Sequence, residues 1–181
     1  MTTSPAPTGA LADSRLTAVG LLFEVAQAVE SELAPQMAEH GLTGVEAGVV
    51  LRLARSPEHR LRMSDLAAQA DLSASGLTRV VDRLENAGLV RRAACLSDRR
   101  VTYAELTQVG LERVLALLPG HVERIDAVLT GILTADESAA LLAALRKIRD
   151  AIRPEATAGA EGVSEGGAAF ADAAHAAPAS A

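Results

Sequence analysis

Aromatic rings are almost absent from this chain: two Phe, one Tyr and no Trp occur among 181 residues. Apolar residues nevertheless make up 49 % of it, well above the range of disordered chains. A core must therefore be assembled from Leu, Val, Ile and Ala, which favours packed helices over an aromatic-rich β-sandwich. The same scarcity excludes the exposed ring platforms on which single-stranded nucleic acid stacks. One Cys excludes an internal disulfide framework and a Cys-based zinc site. The four His residues are scattered without ligand spacing, so no metal and no cofactor is expected. No Ser-His-Asp set, paired carboxylates or Gly-rich phosphate loop stands out, which reads against an enzyme. No apolar run reaches the roughly 18 residues of a membrane span. The opening MTTSPAPTGALADSR lacks a basic region followed by an apolar one, and the expectation is a cytoplasmic protein that does not engage a membrane.

Charge is unevenly spread. Residues 51–104 carry ten Arg and six acids, a net +4 in a chain whose total is −6, so the remainder carries −10. A basic centre between acidic segments points to one face made for an anion.

Helical spacing dominates between two weakly apolar ends. Residues 1–12 read as a flexible arm. Residues 154–181, Ala/Gly-rich with four acids and no Lys or Arg, read as a disordered acidic tail, because they bury too little to offset ordering entropy. A helix is expected over about 14–38, disturbed near its end by Pro35. Thr43 and Glu46 are spaced as a capping box for a second helix to about Ser56, with Val45, Val49, Val50 and Leu53 inward. Arg60–Arg62 fits a three-residue strand. Ser64 can cap a short helix over 65–71, and Ser73 another over 74–87 that Gly88 ends. Residues 89–94 and 101–106 alternate as a hairpin with a charged tip. Thr107 opens a long apolar-periodic stretch that Pro119-Gly120 should kink or break. Thr134 and Glu137 form a second capping box, for a last helix to about Arg153. The expected fold is mainly α with a small β-hairpin wing.

The helix over 74–87 is the informative one. Leu77, Val80, Val81 and Leu84 share one face, and at about 100° per residue Ser75, Arg79 and Arg83 lie opposite, flanked by Thr78 and Asp82. Guanidinium and hydroxyl groups on an outward stripe suit base edges in a major groove. The helix N-terminus with Ser73 suits a phosphate. Gly76, a poor helix former, fits a place where backbone must approach a surface closely. At the hairpin tip, Arg99 and Arg100 can enter a minor groove, while Asp98 pairs with an Arg and holds the tip in shape. An ordinary solvated face and a turn kept polar for solubility are the competing readings; stripe and tip on one basic segment weigh against both. A winged-helix module that meets an acidic protein is the alternative from another class.

The run from Leu61 to Ala67, then Leu72 to Glu85, Gly88-Leu89-Val90-Arg91-Arg92, Asp98-Arg99-Arg100 and Leu106 to Gly110 resembles the MarR (multiple antibiotic resistance regulator) family. The resemblance covers about 14–153. It implies a homodimeric winged helix-turn-helix regulator of transcription, with the winged helix-turn-helix at about 43–106 inside a domain of 13–153 and dimerisation helices at about 14–38 and 108–153. Its partner would be double-stranded DNA at a palindromic operator, and its usual action repression, relieved by a small, often aromatic, effector. Carried over by position, the recognition helix would present Ser73, Ser75, Gly76, Thr78, Arg79 and Arg83, and the wing Asp98, Arg99 and Arg100. A ligand pocket between the dimer helices and the DNA-binding lobe would involve Phe23, His40, Val45 and Val49. The abundance of Leu, Val and Ile on the terminal helices supports a second copy independently. Cys95, beside several arginines, offers an alternative thiol-based signal.

Overall fold

The computed structural model describes residues 12–95, 98 and 100–154. All of the expected arm except Ala12, and all of the expected tail except Pro154, lie outside them, as does Arg99. Six helices and three strands follow one another: α1 (Ser14–Glu39), α2 (Gly44–Ala54), β1 (Arg60–Arg62), α3 (Met63–Gln69), α4 (Ala74–Asn86), β2 (Val90–Ala94), β3 (Thr102–Leu106), α5 (Gln108–Val128) and α6 (Ala135–Ile152). The strands form one antiparallel sheet in the order β1-β3-β2, with Leu61 opposite Ala104 and Arg92 opposite Ala104 on its other side. Helix α3, a turn, helix α4 and this sheet make a winged helix-turn-helix.

The helix starts follow from local chemistry. Thr43–Glu46 and Thr134–Glu137 each form a complete capping box, and the hydroxyls of Ser73 and Thr107 accept from Gly76 N–H and Gly110 N–H, both at 3.0 Å. Each satisfies amide donors that a helix start leaves open. Gly41 (φ +73°) and Gly88 (φ +72°) supply the left-handed turns after α1 and α4, which residues with a Cβ rarely adopt.

The core is aliphatic throughout. Val49, Val50 and Leu53 of α2, Leu66 of α3, Leu77, Val81 and Leu84 of α4, Val90 of β2, and Val114 and Leu117 of α5 are fully buried. The base of the wing is clamped to the start of α5. Thr107 Oγ1 donates to the neighbouring carbonyls of Gly88 and Leu89, 2.7 and 3.1 Å away, and its backbone N–H donates to the Leu89 carbonyl. Gly110 completes the clamp: a Cβ there would stand 2.1 Å from the Leu89 oxygen and 2.9 Å from Leu106 Cδ1.

Several sequence expectations change. Val45 is 45 % exposed, and Glu46 is buried in its place, because the capping box turns that carboxylate inward. Helix α2 ends at Ala54, and Pro57–His59 form a 3-10 turn. Ser64 does not cap α3; the helix starts at Met63 directly from β1, and Ser64 Oγ donates to Asp65. Neither proline breaks its helix: α1 runs through Pro35 and α5 through Pro119. Both occupy exposed positions, where a carbonyl left without its donor can be hydrated. The break falls after Val128, so Leu129 and Ile132 lie beyond α5.

The terminal helices are apolar and uncovered. In α1 only Met37 is buried, and in α6 no residue is. Leu16, Val19, Leu21, Leu22, Phe23 and Val25 of α1 and Leu141, Leu142, Leu145, Ile148 and Ile152 of α6 are all exposed. No single helix among the described residues is long and apolar enough to cross a membrane.

Two measurements test this packing. Gly110→Ala should lower stability by more than about 2 kcal/mol, because the new methyl group meets backbone rather than a movable side chain; urea denaturation would show it. His121 is buried with no partner for Nδ1, and burial lowers its pKa. The folded chain keeps the neutral ring where the unfolded chain, with a pKa of about 6.5, takes up a proton. The stability this group contributes is complete above that pH and declines below it. His121→Leu should therefore lose less Tm than wild type between about pH 7.5 and about pH 5.5.

Candidate nucleic-acid interface

Helix α4 is held by one face and open on the other. Leu77, Val80, Val81 and Leu84 are buried, while Ser75, Thr78, Arg79, Asp82 and Arg83 are exposed. The expected stripe is thus the outward one. Its members are differently engaged. Arg79 has no hydrogen-bond or ion-pair partner among the described residues, which leaves its donors available. Thr78 Oγ1 donates back to the Ala74 carbonyl at 2.8 Å. The hydroxyls of Ser73 and Ser75 lie 3.2 Å apart. A Cβ at Gly76 would meet Ser73 Oγ at 3.1 Å, so this glycine also makes room for the cap of its own helix.

Arg83 is a departure from the simple stripe. Its Nε donates to Glu46 Oε1 at 2.7 Å, while Glu46 Oε2 accepts from the Thr43 amide and hydroxyl at 2.9 and 2.8 Å. One buried carboxylate therefore caps α2 and holds an arginine of α4. Burial pushes the Glu46 pKa up, but Arg83 and the two Thr43 donors outweigh it, and the group sits below its ordinary value. The Arg83 side chain is still 56 % exposed, so its outer nitrogens remain accessible. A cavity of about 160 Å³ lies beside this pair, between α2, α4 and Arg113 of α5.

The wing is fixed to α4 by Arg92. Its guanidinium reaches Asp82 at 2.7 Å and Glu85, and its amide donates to Glu85 at 3.1 Å. Arg91 pairs across the sheet with Glu105 at 2.8 Å. Both arginines, counted in the basic segment, thus have structural partners. At the tip, Asp98 accepts from the Arg100 amide at 3.0 Å and from its Nε at 3.1 Å. The Arg100 side chain is 91 % exposed. Cys95, half-buried, closes the hairpin by donating its amide to the Val101 carbonyl.

Strand β2 of the wing is thus tied to α4 by ion pairs, and both Arg79 and Arg100 are exposed. The MarR family profile matches residues 40–101, from the end of α1 through the wing tip. AbsC, a MarR family transcriptional regulator from Streptomyces coelicolor, superposes with a TM-score of 0.71 at 34 % identity, over 78 % of this chain and 96 % of that one. The chain belongs to the MarR family of transcriptional regulators. Sco3205, another MarR family regulator from that organism and solved in complex with DNA, gives a TM-score of 0.71 at 32 % identity, over 84 % of this chain and 94 % of that one. The repressor YetL of Bacillus subtilis is 29 % identical over 108 residues, 60 % of this chain and 65 % of YetL.

The four residues that the MarR resemblance assigned to a ligand pocket differ in their exposure. Val49 is fully buried in the core, Phe23 is 62 % exposed on α1 and Val45 is exposed on α2. His40 ends α1, and its carbonyl accepts from Arg113 at 2.7 Å. Sequence reasoning missed Glu46 as an inter-helix partner and Arg92 as the wing anchor. The Thr43–Glu46 spacing was visible, but nothing local shows that the carboxylate also reaches residue 83.

Glu46→Ala removes a cap and leaves Arg83 unpaired, and should cost about 1–3 kcal/mol in chemical denaturation. Glu46→Gln, which can still cap, should cost less.

Proposed function

We propose that the protein is a homodimeric repressor that reads a palindromic operator with α4 and releases it on binding a small effector. The observation that carries the reading is Arg79, without a partner among the described residues, on the outward face of a helix whose other face is buried in the core. An arginine so placed can donate two parallel hydrogen bonds to a guanine edge in the major groove. Arg83 sits one turn further on, steered by Glu46. Ser75 and Thr78 flank them, and Ser73 with the amides around Gly76 offers donors to a phosphate. Arg100, braced by Asp98, is the minor-groove residue of the wing, with Arg99 beside it. The DNA present in the Sco3205 structure and the repressor name of YetL support this assignment.

The second copy is argued from α1, α5 and α6. An 18-residue helix with no buried residue and five exposed large aliphatic residues gains little from its own chain, whereas helices in proteins draw most of their stability from packing an apolar face. Covering it with the same helices of another copy gives a two-fold dimer whose two α4 helices face one side. An effector pocket built from Phe23, His40, Val45 and Val49 requires the partner's helices to close it, and a small aromatic molecule is the chemistry those residues suit.

Two substitutions test the docking. Arg79→Ala should cost about 1–3 kcal/mol at the cognate duplex and flatten the preference among base-substituted duplexes. Arg100→Ala should weaken binding to all of them and reduce the slope of log affinity against log salt by about one. Fluorescence anisotropy on an operator selected from genomic fragments measures both. If both variants bind like wild type, this docking is wrong.

A further inference from the structure

We propose that residues 155–181 act as an intramolecular competitor for DNA, placing their carboxylates on the outward face of α4. The inference rests on the DNA-binding reading of that face. It starts from where the described chain leaves the fold. Arg153, the residue after α6, is pinned to the turn between α3 and α4. Its guanidinium pairs with Asp71 at 2.6 Å and donates to the Ala68 carbonyl at 3.0 Å. Asp71 holds a left-handed backbone (φ +56°) in that turn and lies two residues before Ser73, the cap of α4. The segment beyond Pro154 therefore begins beside the N-terminal end of the recognition helix.

Its composition complements what it begins beside. Residues 155–181 carry Glu155, Glu161, Glu165 and Asp172 and no Lys or Arg. The face next to them carries Arg79 without a partner, the outer nitrogens of Arg83 and the helix N-terminus, all of which favour anions. Length is sufficient. Helix α4, at 13 residues, is about 20 Å long, whereas a few extended residues cover each 10 Å at about 3.3–3.6 Å per residue. A segment tethered next to its target meets it at an effective concentration in the millimolar range, so weak carboxylate–guanidinium contacts suffice to compete. With only Val163 and Phe170 as sizeable apolar residues, charge is what the segment has to offer a surface.

The test uses the full chain with E155Q/E161Q/E165Q/D172N. A control carries E24Q/E30Q/E39Q/E123Q, the same change of net charge placed on α1 and α5. The tail variant should bind a selected operator about three- to tenfold tighter than wild type at about 50 mM salt, with the ratio falling towards one at about 200 mM. The control should show a smaller gain. Without DNA, amide chemical shifts should differ between the tail variant and wild type at Ser73–Arg83. Equal operator affinity for wild type and tail variant overturns the proposal, as does an equal gain in the control or an unchanged spectrum at Ser73–Arg83. Failure of all three proteins to prefer any duplex overturns the DNA reading itself, and the competitor with it.

Discussion

Burial of Leu77, Val80, Val81 and Leu84 along one side of α4 is the constraint on which the rest of the molecule depends. Four aliphatic side chains in a core without aromatic bulk leave the helix no freedom to roll. Rolling it by one residue position would swap buried Val80 or Val81 for Arg79 or Asp82, a cost of several kcal/mol in unpaired charge and lost burial. The outward stripe is therefore set by the core rather than by surface chemistry. Two ion-paired struts then fix what the core leaves loose. Glu46 ties Arg83 to the start of α2, and Arg92 ties the wing to Asp82 and Glu85. The consequence is that α4, the start of α2 and strand β2 are held together by side-chain pairs, so under the proposed function less ordering entropy is lost on docking.

A second division runs through the chain. The lobe of α2, α3, α4 and the sheet holds most of the core, together with the inner side of α5. The terminal helices contribute little to it and present aliphatic side chains outward. In the proposed dimer, the geometry of the second copy decides how far apart two α4 helices stand. Arg153, at the end of α6, bonds to the turn ahead of α4. The end of α6 and the turn that leads into α4 are thereby joined by side-chain contacts.

Features written within a few residues were legible from the sequence. The capping boxes at Thr43–Glu46 and Thr134–Glu137, the cap at Ser73, the start of α5 at Thr107, Gly88 at the end of α4, the hairpin and the inward stripe of α4 all follow from spacing. Contacts between distant residues were not. Glu46–Arg83 spans 37 positions, and no pattern local to either residue announces it. Val45, read as inward, is exposed, and the Glu46 carboxylate next to it, held by the capping box, takes the buried position. Only the fold shows that the Leu89 carbonyl occupies the place a side chain at Gly110 would take. Pro35 was read as a disturbance near the end of its helix and Pro119-Gly120 as a kink or break, because sequence does not reveal that both prolines face outward. The pocket residues were chosen by likeness alone.

The account's central claim is that two copies of α4 read one operator. Hydroxyl-radical footprinting of the purified full chain on a genomic fragment that it selects tests this most directly. The account predicts two protected stretches related by a two-fold axis, with centres about one helical turn, roughly 10 base pairs, apart. Protection confined to one stretch, or spread evenly along the duplex regardless of sequence, would contradict it.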